Sequence, residues 1–343
     1  MALFKAVKKP VIRQSASDGA SSSALRPQYA PKAPPCNIAC PIGTDVRAWI
    51  ATIADGEVES RSLDQSLETA WKKITARNPF PAVTGHLCDR PCEDCCHRGR
   101  KDGAVAVRDL ERYIGDYGLA HGLQFARPTT EQARVAICGS GPAGLTAAYH
   151  LARRGYRVTV YEEADVPGRT LRAAPPDVLN AEIHRLLDLG VELLCNCGEP
   201  STEDAAGFAA VVATAGLEVA SLAESILHGM KEAEALDVRL RGTTVAKSTP
   251  RPAIGPEKIK FDWYPAAPRM ESAESPAREA IVAESKRCMS CGTCMACGNC
   301  WMYCSHGGFE KLPAGRRYRM KLDSCDGCQK CADSCPSGFI DMH

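Results

Sequence analysis

The chain has 343 residues, of which 45% are hydrophobic and 24% charged, and its net charge is +1. A charge this close to zero argues against nucleic-acid binding, which normally requires a strong basic excess, and no apolar run is long enough to span a bilayer. The basic N-terminus lacks the apolar stretch of a secretory signal, so we expect a cytoplasmic protein without a membrane span.

Cysteine is the unusual component of the composition. Of the 19 cysteines, six lie within residues 36–96 and ten within residues 288–335. Disulfides are rare in a reducing cytosol, so crowding of this kind indicates metal ligation rather than an extracellular disulfide framework.

The first third of the chain predicts an arm followed by helices. Residues 1–35 are rich in Ser, Ala, Pro and Lys without apolar periodicity, which predicts an N-terminal arm. Residues 36–130 contain the first cysteine group, with helical patterns such as VRAWIATIADG and DQSLETAWKKI between the cysteines. This segment predicts an α-helical domain.

Residues 131–242 predict a small α/β domain. The string ARVAICGSGPAGLTAAYHLARRGYRVTVYEEA has an apolar run, a Gly-rich turn, a helix and a second apolar run that ends in acid. Glycines at 139, 141 and 144 let a backbone approach a pyrophosphate, and an acid at the position of Glu162 takes ribose hydroxyls. Gly139, Gly141, Gly144 and Glu162 are therefore the predicted dinucleotide-binding residues.

After a Pro-rich linker over residues 243–287, residues 288–343 contain two cysteine runs, each with the spacing C-x2-C-x2-C-x3-C. This repeated spacing is the signature of a bacterial ferredoxin with two [4Fe–4S] clusters, in which the fourth cysteine of each run binds the other cluster. Zinc ribbons are the alternative, but zinc requires only cysteine pairs. The predicted sets are Cys294, Cys297, Cys300 and Cys335 for one cluster, and Cys325, Cys328, Cys331 and Cys304 for the other.

The N-terminal cysteines carry a family resemblance. PPCNIACPIG, NPFPAVTGHLCDRPCEDCC and AVAVRDLERY resemble the iron–sulfur domain shared by the glutamate synthase small subunit and dihydropyrimidine dehydrogenase. The resemblance covers about residues 34–120 and implies an α-helical domain with two [4Fe–4S] clusters. In that family a C-x2-C pair lies just upstream of the position of Cys36, and this chain has no cysteine there.

The missing pair has a candidate replacement. Ahead of the eight ferredoxin cysteines lies an additional C-x2-C pair in the context SKRCMSCG, which resembles the family's upstream string. If it folds back, Cys36, Cys96, Cys288 and Cys291 complete one cluster. The resemblance assigns Cys40, Cys88 and Cys92 to another, whose fourth family ligand is not cysteine. Glu111 matches that position, and a carboxylate can bind iron; Cys95 is the competing candidate.

The α/β domain resembles the FAD-binding domain of the same family but is truncated. Family members contain a second Gly-rich βαβ unit for NADPH, and no such unit follows residue 163. Arg169 stands where the family has the second of two glycines. Two interpretations stay open: FAD binds at the Gly-rich turn, or the domain is a vestigial scaffold.

Together these patterns predict a multidomain α+β protein: an α-helical iron–sulfur domain, a truncated Rossmann-like α/β domain and a bacterial two-cluster ferredoxin domain. We expect a non-catalytic electron-transfer subunit with four [4Fe–4S] clusters, bound to the catalytic and flavin-containing subunits of an oxidoreductase complex. Similar fused chains accompany 2-oxoacid:acceptor oxidoreductases, which implies such a partner. The alternative functions are a compact flavin-dependent NAD(P)H:ferredoxin oxidoreductase and an assembly scaffold with structural clusters.

Overall fold

The computed structural model describes residues 23–129, 132–214, 221–244, 249–273, 275–313 and 318–343. Within these ranges a helical part, a parallel sheet flanked by helices and a cysteine-rich C-terminal part follow one another along the chain. No helix in these ranges has both the length and the apolar composition required to cross a membrane.

The helical part is built from short amphipathic segments that bury one face. Ser62 and Gln65 form a reciprocal capping box that starts the third helix, and that helix buries Leu67, Trp71 and Ile74. The helices are α1 (Pro35–Ala39), α2 (Val46–Ala54), α3 (Leu63–Thr75), α4 (Pro81–Leu87), α5 (Pro91–Asp94) and α6 (Val107–Ala120).

Two glycines bring α4 and α6 into close contact. A Cβ atom at Gly115 would lie 2.2 Å from the backbone nitrogen of Ala82, and one at Gly85 would lie 2.4 Å from the Cα of Arg112. Neither position has room for a side chain. This close approach places the first turns of α6 beside the end of α4, where Cys88 follows.

The α/β part consists of β2 (Arg134–Cys138), α7 (Pro142–Arg153), β3 (Arg157–Tyr161), α8 (Pro176–Asp188), β4 (Glu192–Leu194), α9 (Thr202–Ala205), β5 (Ala210–Ala213) and α10 (Leu222–Arg241). Its four strands are parallel and lie in the order β4-β3-β2-β5. Its α10 packs closely on α7, since a Cβ at Gly229 would lie 2.0 Å from the carbonyl oxygen of Ala143. Gly242, at φ 64°, ends α10 in the left-handed region.

The helical and α/β parts share a buried contact. The carboxylate of Glu182, on α8, accepts a hydrogen bond from the backbone N–H of Ala82 at 3.1 Å and pairs with Arg185 at 2.8 Å. All three groups are buried, and the guanidinium of Arg185 also lies over the ring of Trp71. The two parts are therefore packed as neighbours rather than joined only through the chain.

The C-terminal part consists of short segments around the cysteines. Its elements are α12 (Asn299–Met302), β6 (Phe309–Glu310), β7 (Arg319–Met320), α13 (Lys330–Asp333) and β8 (Ile340–Met342). The described portion of the predicted N-terminal arm adds a strand, β1 (Pro27–Tyr29), which pairs antiparallel with β8. Lys32 continues the contact through an ion pair to Asp341 at 2.7 Å.

The segment predicted as a linker also folds onto its neighbours. It contains α11 (Arg278–Lys286), which packs against α2. At the end of α11 the buried carboxylate of Glu284 pairs with Arg287 at 2.7 Å and accepts a hydrogen bond from the N–H of Ala106 at 2.8 Å. These contacts bring the chain back to the helical part immediately before Cys288.

Candidate iron–sulfur sites

The cysteines of the helical part divide into two groups, and the first includes a glutamate. Group 1 comprises Cys40, Cys88, Cys92 and Glu111, which line one cavity. Burial raises the pKa of the Cys88 thiol to about 11, and the charges of Glu111 and Cys40 contribute in the same direction. Burial likewise raises the pKa of the Cys92 thiol, with further contributions from Glu111 and Cys40.

Two buried side chains hold the carboxylate of Glu111. Asn78 Nδ2 donates a hydrogen bond to its Oε1 at 2.8 Å, and Thr84 Oγ1 donates to the same atom at 3.0 Å. Burial raises the pKa of Glu111 although both hydrogen bonds lower it. Within the described residues both hydrogen bonds go to Oε1, and Oε2 accepts none.

Cys95, the competing fourth ligand, points elsewhere. Its thiol donates to the backbone oxygen of Cys92 at 3.4 Å. Burial raises the pKa of this thiol, and the thiol of Cys96 raises it further. Cys95 is also absent from the cavity that Glu111 lines. The geometry therefore favours Glu111 over Cys95.

Group 2 joins the two ends of the chain. It comprises Cys36, Cys96, Cys288 and Cys291. Burial raises the pKa of the Cys36 thiol well above its usual value, and the thiols of Cys288, Cys96 and Cys291 raise it further, in that order. The pKa of Cys291 is raised by burial and then by Cys288 and Cys96.

An ion-pair network holds the loop that carries Cys288 and Cys291. The buried Arg98 donates a hydrogen bond to the backbone oxygen of Arg287 at 3.2 Å and pairs with Asp102 at 2.5 Å. Arg287 also contacts Asp102, at 3.1 Å. Hydrogen bonds from Arg98 keep the pKa of the Asp102 carboxyl well below its usual value despite partial burial. The sequence does not indicate the contacts of Arg287, because charged side chains alone do not predict pairing across 185 residues.

Groups 3 and 4 lie in the C-terminal part, and each takes one cysteine from the other run. Group 3 lines a cavity that Tyr29 and Tyr318 also border. In group 4 the pKa of the Cys331 thiol is raised to about 11, by burial and then by the thiols of Cys325, Cys304 and Cys328. Group 3 comprises Cys294, Cys297, Cys300 and Cys335, and group 4 comprises Cys304, Cys325, Cys328 and Cys331.

Three C-x2-C steps share one backbone pattern. In each step the residue before the second cysteine and the residue after it have positive φ, between 47° and 87°. Such angles are uncommon for residues other than glycine, so their recurrence indicates that the three steps share one loop conformation. The pairs are Ser290 and Gly292, Ala296 and Gly298, and Gly327 and Gln329.

Backbone N–H groups point at the thiols. Gly308 donates to Cys304 Sγ at 3.1 Å and Phe339 donates to Cys335 Sγ at 3.3 Å. Such donors stabilise negative charge on sulfur. Among the described residues no three His, Cys, Asp or Glu side chains are gathered as ligands of a single metal ion. A cubane differs, because each of its ligands binds a separate iron.

The predicted dinucleotide residues come together at one end of β2 and β3. A Cβ at Gly144 would lie 1.9 Å from the carbonyl oxygen of Gly139, so this glycine allows the close packing of helix and strand. The buried Glu162 carboxylate accepts hydrogen bonds from the N–H groups of Ser140 at 2.8 Å and Ala164 at 3.0 Å. The fold allows a dinucleotide, yet these residues already have contacts within the chain.

Arg169 lies against the Gly-rich turn that contains Gly139, Gly141 and Gly144. Its φ of 36° is in the left-handed region, as expected at a position where the family has glycine. A Cβ at Gly141 would lie 3.7 Å from its Cδ, so the Arg169 side chain passes over the Gly-rich turn. Burial raises the pKa of Glu162, but the hydrogen bonds from Ser140 and Ala164, and then the charge of Arg169, bring it below its usual value.

Comparison with known proteins supports both the iron–sulfur and the Rossmann assignments. Residues 4–123 match the family described as dihydropyrimidine dehydrogenase domain II, 4Fe–4S cluster. Residues 137–203 match the NAD(P)-binding Rossmann-like domain. The predicted resemblance is confirmed. The chain therefore contains a [4Fe–4S] domain followed by a Rossmann-like domain.

Three relatives illustrate the similarity. The subunit PreT of NAD-dependent dihydropyrimidine dehydrogenase from Escherichia coli is 34% identical over 47% of this chain and 39% of its own length. The beta subunit of NADP(+)-dependent formate dehydrogenase from Moorella thermoacetica is 35% identical over 47% of the chain and 26% of its own length. The small chain of glutamate synthase [NADPH] from Mycobacterium tuberculosis is 35% identical over 42% of the chain and 28% of its own length. The chain thus spans less than half of the length of each relative. Each of the three is named as a subunit or chain of an oxidoreductase.

Proposed function

We propose that the chain is an electron-transfer subunit that holds four [4Fe–4S] clusters within a larger oxidoreductase complex. A bound cluster of this type takes up and releases one electron at a time, at a potential that the protein tunes. The observation that carries the proposal is group 2, in which burial and then the neighbouring thiols, that of Cys96 among them, raise the pKa values of Cys36, Cys288 and Cys291.

The donor sets are proposed to be those of the four groups. Group 1 supplies three thiols and the carboxylate of Glu111, and each of the other groups supplies four thiols. The left-handed backbone pattern at Ser290 and Gly292 recurs in both ferredoxin-type runs. This repetition supports cluster binding by the Cys288–Cys291 pair, and it supports a two-cluster ferredoxin module for the C-terminal part.

The four groups are proposed to form one linear series. Groups 1 and 2 adjoin because Cys36 and Cys40 lie on either side of one turn of α1, and the charge of Cys92 also raises the pKa of Cys36. Groups 2 and 3 adjoin because only two residues separate Cys291 from Cys294. Groups 3 and 4 exchange their fourth cysteines, Cys335 and Cys304. The order 1-2-3-4 follows.

Metal analysis tests the proposal directly. Protein purified without oxygen should contain about sixteen iron and sixteen sulfide ions, four of each per cubane. Stoichiometric zinc, or iron near half of that amount, would contradict it.

Purification from the native host tests the identity of the partner. We propose that the partners are the catalytic and flavin-containing subunits of a 2-oxoacid:acceptor oxidoreductase. Co-purification with subunits of another reaction class would overturn that choice.

A flavin-dependent NAD(P)H:ferredoxin oxidoreductase is the second candidate, and the Rossmann-like match over residues 137–203 favours it. Against it, the sequence contains one Gly-rich βαβ unit, where a flavin and a nicotinamide would each require one. We therefore expect the purified chain not to reduce a dye with NADH or NADPH. Turnover at an enzymatic rate would replace the first proposal by the second.

A further inference from the structure

A tyrosine lies between groups 2 and 3. Tyr264 is buried, and it forms a small apolar cluster with Ile254, Ile259 and Met289, against which Cys291 packs. Burial raises the pKa of its phenol. The thiols of Cys291, Cys288, Cys297 and Cys335 raise it further, so cysteines of both groups face this residue.

The hydroxyl of Tyr264 holds one peptide unit of the ligand loop. It donates a hydrogen bond to the backbone oxygen of Met289 at 2.7 Å. That oxygen belongs to the peptide unit between Met289 and Ser290, and the N–H of the same unit lies close enough to the Cys288 thiol to lower its pKa, which burial raises. Because a peptide unit is planar, fixing its oxygen also fixes the direction of its N–H.

We propose that Tyr264 is a positioning residue that sets the reduction potential of the cluster in group 2. An N–H donor to a cluster ligand stabilises the reduced state, which carries the greater negative charge, and so raises the potential. The step concerned is the arrival of one electron at group 2 from a neighbouring group, which is thereby oxidised by one electron; no bond breaks and no proton moves. The inference rests on the proposed four-cluster function.

The surroundings of Tyr264 support a fixed orientation. Trp263 packs edge-on against its ring with centroids 4.9 Å apart, on the more exposed side. On the other side, the loop continues into Gly292, whose N–H donates to the backbone oxygen of Ser337 at 2.7 Å. Among the residues that the structure describes, the hydroxyl therefore has one hydrogen-bond partner, the Met289 oxygen. Its removal leaves the Met289 oxygen buried without that donor, and the peptide unit can then rotate.

Redox titration of Tyr264→Phe, followed by electron paramagnetic resonance, tests the inference. The ring stays, so the fold and all four clusters should be kept. We expect the potential of the group 2 signal to fall by about 59 mV, which corresponds to a tenfold change in the equilibrium constant of a one-electron couple. The Cys288→Ser/Cys291→Ser variant identifies which signal belongs to group 2.

The matched control is Tyr156→Phe. Tyr156 is also buried, and its hydroxyl donates to Asp237 at 3.0 Å in the α/β part, away from the cysteine groups. This variant should shift no potential. An unchanged group 2 potential in Tyr264→Phe, with full iron content, would overturn the inference while leaving the proposed function intact. Iron deficiency in the unmodified protein would instead contradict the proposed function.

Discussion

Tyr29 stacks on Phe339, with ring centroids 5.0 Å apart and planes inclined by 24°. The pair joins the strand near the start of the described chain to the last turn before β8, and Tyr29 also borders the cavity of group 3. The N-terminal strand thus forms part of the wall around a predicted cluster. Its removal should affect that cluster before any other.

The first prediction concerns this wall. Tyr29→Ala removes a stacked pair worth about 0.5–1.5 kcal/mol beyond its buried area and opens group 3 to solvent. We expect faster loss of iron in air and a shifted potential for group 3, measured by iron release and redox titration. Tyr303→Ala is the control, since Tyr303 is 52% exposed and does not border the cavity. Equal iron-loss rates in both variants would contradict the assignment.

The second prediction concerns the shared group 2. Cys288→Ser/Cys291→Ser should lose one cluster, so the iron content should fall from about sixteen to about twelve while both C-terminal clusters stay. Cys195→Ser/Cys197→Ser is the matched control, because these cysteines lie outside all four groups, and it should keep all the iron. Full iron content in the first variant would show that group 2 does not need the C-terminal pair.

The third prediction separates Glu111 from Cys95. Glu111→Ala removes the donor that faces the group 1 cavity and should alter only the group 1 signal and its iron. Cys95→Ala should leave the iron content and spectra unchanged. Asn78→Ala, which removes a hydrogen bond to the Glu111 carboxylate, should weaken group 1 less than Glu111→Ala does. If Cys95→Ala is the variant that loses the group 1 signal, the two assignments must be exchanged.

Much of the fold could be predicted from local patterns. The apolar runs around the Gly-rich turn predicted β2, α7 and β3, and the structure contains all three. The ligand spacing is also local, because each C-x2-C step forms one loop. These features depend on residues close in sequence, so the sequence contains the information directly.

The remaining features depend on long-range pairing. Strand β1 has the sequence PQY, without apolar alternation, and its partner β8 lies at the other end of the chain. Helix α11 lies in a segment whose prolines predicted only a linker. Its Glu284 accepts a hydrogen bond from Ala106, which lies 178 residues earlier in the chain. The sequence does not indicate Tyr264, because its proposed role depends on a hydrogen bond to Met289, 25 residues further along the chain.

The fourth prediction concerns Glu162, whose carboxylate binds Ser140 and Ala164 within the chain. Loss of a buried acceptor leaves its donors unpaired, which lowers the free energy of unfolding by about 1–3 kcal/mol. We therefore expect Glu162→Ala to destabilise flavin-free protein, as measured by denaturant unfolding. Glu163→Ala, the adjacent exposed residue, is the control. If the variant changes stability only in the presence of added FAD, then Glu162 serves the dinucleotide rather than the fold.

The last prediction is a pH dependence at the contact between the α/β and helical parts. His150, on α7, is buried, and its Nε2 lies 3.0 Å from the backbone oxygen of Arg77. Burial lowers its pKa from 6.5 to about 4, although this hydrogen bond raises it. The folded protein therefore keeps the imidazole neutral, with Nε2–H as the donor, at pH values where the unfolded chain binds a proton.

The sign follows from proton uptake. Between about pH 6.5 and pH 4 the unfolded state binds more protons than the folded state, so stability falls as the pH falls, by at most about 1.4 kcal/mol per pH unit. Above pH 6.5 the histidine contributes no slope. His150→Gln keeps an N–H donor but does not titrate, and its unfolding free energy should lose this part of the slope. His184→Gln is the control, since His184 is exposed on α8. Identical slopes in the unmodified protein and His150→Gln would show that His150 is protonated as readily in the folded chain as in the unfolded one.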